Sequence, residues 1–437
     1  MTKKNKSKGK DLGKKGRLGG EPLEFLSVRF ENINAEIVKR HLILLIIASL
    51  LTKFFVLFAT KTIFHSFIDY FDFGFYLEHA IMIVQGQLPY ISYNFDYPLL
   101  IFVPILIALI PALFFQNALA FVYTFQILMV LCDLITIVCI YFIALRFYNE
   151  RTAFLAGLIY ATAFATAYFV LTKYDAFPTS LLMLGVFFTV YGMNTKSYLS
   201  TGIGFFAKIF PAIAFPFFIL HNSKKTSLKD EIITALKVMI PLLVILLLPV
   251  LVIRPEAIRT YLFATGATVG VYANTATYTL YSWLNGIGQF GILPDGVSIM
   301  MYGMLGIIIL YLLYTSYVDT EKRPVTLLKT LLCAFIAVIF FTKFHSPQYT
   351  VWFTPFLCLL VADDLFKVIL FYIVQALAYI EFPLMFGSFY TNLEYTNPVR
   401  SYGWYLTLLF FTLQYLVLLI LVFAIIRKKD EQFKTVQ

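Results

Sequence analysis

Long apolar runs, broken at intervals by short polar stretches, recur along the whole chain. Ten of them, near 41–60, 118–147, 152–171, 176–193, 232–253, 298–318, 325–342, 349–363, 366–386 and 404–426, approach the roughly 20 residues that a helix needs to cross a bilayer. Ten-residue stretches of alternating polarity, the mark of a membrane barrel, are missing. The pattern therefore predicts an all-α, polytopic integral membrane protein with about ten full crossings. Two further runs are irregular. Residues 98–115 carry Pro98, Pro104 and Pro111 and are expected to lie in, or dip into, one interface. Residues 198–220 have Lys196 on one side and Lys224, Lys225 and Lys229 on the other, with Lys208 and Pro211 inside. That arrangement predicts a re-entrant helical hairpin with Lys208 near its tip. Irregular backbone at such depth must be buried in protein or line a wet cavity.

Composition strengthens this reading. Of 437 residues, 60% are hydrophobic and 13% charged, against about 25% charged in soluble domains. A water-soluble globule is excluded. The four cysteines (Cys132, Cys139, Cys333 and Cys358) all sit within apolar runs, where they read as small packing residues. No phosphate-binding glycine loop or dinucleotide fingerprint is present, which disfavours an ATP-driven pump.

Charge sets the orientation. Residues 1–19 hold eight cations against Asp11, a net +7 of the chain's +10. Ahead of a membrane protein such a run reads as a cytoplasmic tail touching anionic lipid rather than as a nucleic-acid site. With both termini cytoplasmic, the basic clusters at Arg146 and Arg151, Lys322 and Arg323, and Arg427 to Lys429 all fall inside. The expected organisation is a basic tail and amphipathic lead-in (1–40), a membrane-embedded module (41–386, with a first outer loop at 61–117), and a last outer loop, helix and basic tail (387–437). The expected location is the cell membrane.

This topology collects the unusual polar residues at the outer face: Asp69, Asp72, Tyr76, Asp96 and Tyr97 in the first loop, Lys173-Tyr174-Asp175 in the next turn, Arg259 in a long loop at 254–296, and Lys343, His345, Gln348 and Tyr349 in a fourth turn. A carboxylate can accept a proton from a hydroxyl. Lys, Arg and His can hold a phosphate, and aromatics and amides suit a sugar. With no nucleotide motif, the phosphate is expected on a lipid. The set therefore suits sugar transfer from a polyprenyl-phosphate donor to a hydroxyl-bearing glycan or lipid acceptor, with Asp72 or Asp69 as base. Lys208, His345, Lys343 and Arg259 would hold the donor phosphate. Tyr76, Asp96, Tyr97, Asp175, Gln348 and Tyr349 would line the substrate site. Phe71, Phe73 and Tyr76 would shield Asp72 from water. No metal or cofactor is expected. Asp72 and Asp175 could also simply cap the helices that follow them. Asp133, inside a span, needs a buried partner and reads as structural.

Asp72-Phe-Gly-Phe-Tyr76, Gly86-Gln-Leu-Pro89-Tyr90 and Phe95-Asp-Tyr97-Pro98-Leu99 resemble the first-loop pattern of GT-C-fold glycosyltransferases, most nearly glycosyltransferase family 87, which uses polyprenol-phosphate-mannose. Lys173-Tyr-Asp175 is similar to that family's second acidic turn, Lys208-Ile-Phe-Pro211 to its K-x-x-P segment, and Ser346-Pro-Gln-Tyr349 with Trp352 and Pro355 to its SPQYxxWxxP segment. Leu99 stands where a second proline is common, and two acids share the first motif. The resemblance implies an inverting transferase, with mannose the implied sugar. A secondary transporter or lipid-glycan flippase without chemistry is the alternative. It would place its ionisable groups at the midplane.

Overall fold

In a computed structural model of the protein, the described residues are 23–26, 28–30, 34–64, 70–95, 97–223, 226–257, 271–287, 294–321, 323–392 and 401–428. Two compact units emerge, Met1–Ile43 and Leu44–Gln437. In the first, strands β1 (Leu23–Phe25) and β2 (Val28–Phe30) form an antiparallel hairpin that pairs Leu23 with Phe30. The α1 helix (Ala35–Phe58) begins there, its first turn held by Asn34 Oδ1, which accepts from the Glu36 amide.

The second unit is all helical. From α1 the described chain runs through α2 (Tyr70–Val84), α3 (Phe102–Phe115), α4 (Ala118–Leu145), α5 (Glu150–Ala161), α6 (Phe164–Thr172), α7 (Ala176–Val190), α8 (Asn194–Ala207) and α9 (Ala214–Asn222). It continues with α10 (Leu228–Leu246), α11 (Leu248–Ile253), α12 (Ala276–Ser282), α13 (Pro294–Val318), α14 (Pro324–Phe341), α15 (Thr350–Val361), α16 (Leu365–Tyr379), α17 (Phe386–Asn392) and α18 (Tyr402–Arg427). Polar residues start the apolar helices. The side chains of Asn117, Asn149, Ser227, Asp364 and Ser401 accept amides of the first turns of α4, α5, α10, α16 and α18, the N-cap chemistry that satisfies otherwise orphaned donors.

The expected class holds: this is an all-α polytopic membrane protein. Six of the described helices are single apolar rods long enough to cross a bilayer, and α5 with α6, bent by 56° at their break, makes a seventh if the pair is one span. The run at 152–171, expected as one span, is bent. It breaks at Thr162–Ala163, where the Thr162 hydroxyl turns back onto the Leu158 carbonyl and meets the Tyr372 hydroxyl. The 98–115 run is a short apolar helix, and 176–190 is shorter than a full rod.

The 198–220 segment breaks as the sequence anticipates. α8 ends at Ala207, Lys208 is extended, a 3-10 turn covers Phe210–Ile213, and α9 returns. Tight packing fixes this hairpin against α7: a Cβ on Gly185 would lie 2.1 Å from the Thr201 hydroxyl. Its base is tied down by Glu231, whose carboxylate accepts from Asn194, Tyr198 and Thr226. Deep in the bundle, Lys53 Nζ meets Asp133 Oδ2 at 2.6 Å, and Asp133 Oδ1 accepts from the Tyr160 hydroxyl at 2.8 Å. Asp133 thus has the buried partners its position demands. All four cysteines are free thiols.

The first loop is a packed layer rather than a tether. Phe73 and Tyr76 sit on Phe125 of α4 at ring separations of 5.7 and 5.3 Å, and Phe95 stacks on Phe102 at 4.7 Å. Gly86, with φ of 84°, ends α2 by letting the Gln87 amide reach back to the Met82 carbonyl. Arg254 then pins the loop by donating to the Tyr90 carbonyl.

Candidate functional site

Three breaks in helical structure meet at one end of the bundle. The first is the start of α2, where helical structure begins in the first loop. The second is the turn Lys173-Tyr174-Asp175 between α6 and α7. The third is the extended Lys208 at the tip of the α8–α9 hairpin. Each carries a charged side chain, and the charges meet across the chain.

Asp72 lies in the first turn of α2 and does not cap it. Its Oδ2 receives Lys173 Nζ at 2.7 Å and the Tyr76 hydroxyl at 3.3 Å. The Asp72 side chain keeps 18% of its surface, whereas the Lys173 side chain keeps 7%. The base candidate is therefore the reachable partner of the pair. Lys173 also faces the Phe382 ring at 5.6 Å. Of the residues expected to shield Asp72, Phe73 and Tyr76 are buried behind it. Phe71 is 80% exposed and does not contribute, a correction that follows from the helical phase of α2.

Asp175 occupies the N-cap position of α7 without making a cap hydrogen bond. It is completely buried, and its Oδ1 accepts from Lys208 Nζ at 2.7 Å and from the Trp352 indole at 2.6 Å. Its Oδ2 has no hydrogen-bond partner among the described residues. Lys208 is boxed by aromatic faces, with Tyr174, Trp352 and Tyr349 at 4.5, 5.4 and 5.6 Å from Nζ. Burying an ammonium in this way is tolerable because the carboxylate and the ring quadrupoles replace its water. Tyr174 links the two ion pairs. Its ring meets Tyr76 and Tyr97 at 5.9 and 5.3 Å on one side and Lys208 on the other.

The turn between α14 and α15 closes the site. Tyr349 stacks on Trp352 at 3.7 Å, and His345 stacks on Tyr349 at 5.9 Å. His345 lies within 3.4 Å of the Tyr415 hydroxyl, and burial lowers the pKa of its imidazolium to about 4, so the ring is neutral near pH 7. Gln348 accepts from the Ser346 hydroxyl. Lys343 fixes the turn through its backbone, its carbonyl accepting the Tyr272 amide, and its side chain forms no ion pair among the described residues. Asp69, Asp96 and Arg259 lie outside the described residues.

The structure thus gathers Asp72, Tyr76, Tyr97, Asp175, Lys208, His345, Gln348 and Tyr349 around one region. Sequence reasoning missed three participants. Lys173 was read only as part of a turn, and nothing local reveals a partner 101 residues away. Trp352 was matched to a motif but not to its hydrogen bond. Glu381, one acid at the end of an apolar run, is buried and accepts from Asn274 at 2.8 Å and Gln414 at 2.7 Å, next to the Phe382 ring that Lys173 faces. Glu381-Phe-Pro383 closing an apolar run was the available signal. Among the described residues no three His, Cys, Asp or Glu side chains converge as a metal site would require.

Chemically, two carboxylates and two ammoniums balance one another behind a wall of aromatics. An arriving phosphate would find both cations already paired, each ammonium still carrying further N–H donors.

No protein-family model matches this sequence, and no curated protein matches it. Among solved structures the chain is similar to the crystal structure of ArnT from Cupriavidus metallidurans in the apo state, at 13% identity and a TM-score of 0.44, over 80% of this chain and 68% of that one. It is also similar to the crystal structure of the Archaeoglobus fulgidus oligosaccharyltransferase in the apo form, at 12% identity and a TM-score of 0.41, over 88% of this chain and 55% of that one.

Proposed function

We propose that this protein is a membrane glycosyltransferase of the GT-C type. It would move a sugar, mannose being the one the motif resemblance implies, from a polyprenyl-phosphate donor to a hydroxyl acceptor at the outer face of the cell membrane. The observation that carries this reading is the paired array Asp72–Lys173 and Asp175–Lys208, at 2.7 Å each, at the end of the bundle where the motif residues converge.

On this reading the donor phosphate binds between Lys208 and Lys173, with neutral His345 and the Lys343 side chain as further donors. Charge-assisted contacts of this kind contribute about 1.5–3 kcal/mol each. As Lys173 swings to the phosphate, Asp72 loses its cation and becomes free to take the acceptor hydroxyl proton while that oxygen attacks the anomeric carbon. The lipid phosphate leaves without needing a second acid. The sugar would rest against Tyr76, Tyr97, Tyr174 and Tyr349, and Asp175 Oδ2 offers an open acceptor for one of its hydroxyls. Both termini would be cytoplasmic.

Incubation of the purified full chain with a polyprenyl-phosphate mannose and an alkyl mannoside acceptor tests the proposal. Release of polyprenyl phosphate together with a glycosylated acceptor is expected. Release of neither, across mannose and glucose donors, would sink it. The Lys53–Asp133 pair, the ionisable pair a transporter reading would need, is closed by Ser49 and Tyr160, which favours the enzyme.

A further inference from the structure

Trp352, in the first turn of α15, is gripped on both faces. Tyr349 stacks on its ring at 3.7 Å, and Phe210, from the 3-10 turn at the hairpin tip, stacks on it at 4.2 Å with the planes 8° apart. Two rings this close to one indole must occupy opposite faces, so the indole is clamped in its plane. Its Nε1 donates to Asp175 Oδ1 at 2.6 Å, and Lys208 Nζ donates to the same oxygen at 2.7 Å. Asp175 is completely buried, yet both donors converge on Oδ1, and Oδ2 has no hydrogen-bond partner among the described residues. The buried hydroxyl of Tyr174, one residue earlier, has none there either. Buried polar atoms are normally paired, so two orphans on consecutive residues mark a place where a ligand completes the hydrogen bonds. An ammonium alone would let the carboxylate turn, because its N–H groups form no planar fork. The clamped indole removes that freedom: it holds Oδ1 and so sets where Oδ2 faces.

We infer that Trp352 is a positioning residue for recognition of the transferred sugar: by holding Asp175 Oδ1, its indole presents Asp175 Oδ2, together with the Tyr174 hydroxyl, to hydroxyl groups of the sugar. The inference rests on the proposed glycosyl transfer for the class of ligand. It divides the work around Lys208 between two partners. The ammonium keeps N–H groups for the lipid phosphate. Oδ2 cannot serve that phosphate, because an ionised phosphodiester has no proton to give a carboxylate. A sugar hydroxyl has one, and it can also accept from the Tyr174 hydroxyl.

The test compares equilibrium binding of short-chain polyprenyl-phosphate mannose and glucose with that of the bare polyprenyl phosphate, by the purified full chain at about pH 8, where the bare phosphate is also ionised. The wild type should bind a sugar-bearing lipid more tightly than the bare one. Trp352→Phe keeps an aromatic ring between Tyr349 and Phe210 and deletes the N–H. It should lose about tenfold in affinity for the sugar-bearing lipid, while bare polyprenyl phosphate binds within about twofold of the wild type. A merely structural role would weaken both lipids alike. If Trp352→Phe fails to fold, 3-benzothienylalanine at position 352, with sulfur in place of the N–H, supplies the same reading. Tyr174→Phe should lower the same ratio. An unchanged ratio without the indole N–H, or equal losses for both lipids, would overturn the positioning role. So would a wild type that binds sugar-bearing and bare lipids equally, even where it transfers sugar. Discrimination lost with the N–H in a protein that transfers no sugar would support the positioning role and contradict the transferase reading.

Discussion

The Lys208–Asp175 pair offers an asymmetric test of the site's energetics. Lys208→Met removes the ammonium and leaves a fully buried carboxylate with one indole donor, Trp352, and one oxygen already without a partner. Breaking a buried pair from one side costs about 3–5 kcal/mol, because the remaining charge stays uncompensated. Asp175→Asn leaves the ammonium instead, but three aromatic faces within 5.6 Å still receive it. Cation–π attraction at desolvated sites is worth about 2 kcal/mol, so this variant should lose about 1–3 kcal/mol. Combining the two substitutions removes both charges. The double variant should therefore be more stable than Lys208→Met alone, with a favourable coupling of about 2–4 kcal/mol. Reversible unfolding in mixed micelles, followed by tryptophan fluorescence, reads all four corners of the cycle. A Lys208→Met protein as stable as wild type, or a double variant that is simply the sum of the singles, would refute the buried pair.

Gly185→Ala should destabilise the protein by about 1–3 kcal/mol, because its methyl group would collide with Thr201 at the α7–α8 contact; an unchanged melting temperature would contradict that packing. His345 gives a pH signature. Its pKa falls from 6.5 in the unfolded chain to about 4 in the fold, so the unfolded state binds the extra proton. Stability from this group is complete above pH 6.5 and is lost as pH falls toward 4, by up to about 3 kcal/mol. Melting curves of the wild type between pH 4 and 7 should show this slope, and His345→Gln should flatten it. In a background without the native cysteines, Leu88→Cys should react with an impermeant maleimide in intact cells while Thr320→Cys stays protected. The reverse pattern would invert the topology.

Elements whose cause is local could be read from the sequence, and those whose cause is a distant partner could not. The break at Lys208 was readable because a cation and a proline interrupt an apolar run, and no straight membrane helix tolerates both cheaply. The bend at Thr162 was not, since the 152–171 run contains no proline and the turn is held by a threonine hydroxyl and by Tyr372 from α16. The site residues were legible as chemistry at one face. Their pairing was not: nothing local gives Lys208 to Asp175 and Lys173 to Asp72. The helix-cap reading of both acids was reasonable from position alone. In the fold Asp72 lies inside the first turn of α2 rather than before it, Asp175 makes no cap hydrogen bond, and the two carboxylates accept from Lys173 and Lys208 instead.

The central claim, that Asp72 is the base and Lys173 its displaceable partner, is tested most directly by single-turnover transfer from polyprenyl-phosphate mannose. Asp72→Asn keeps the shape of the side chain and a hydrogen bond to Lys173 while deleting the base. It should bind donor normally and lose transfer by about 10²–10⁴-fold. Asp69→Asn, the sequence alternative, should lose far less. Near-normal transfer by Asp72→Asn, with Asp69→Asn inactive, would contradict the account and move the base to Asp69.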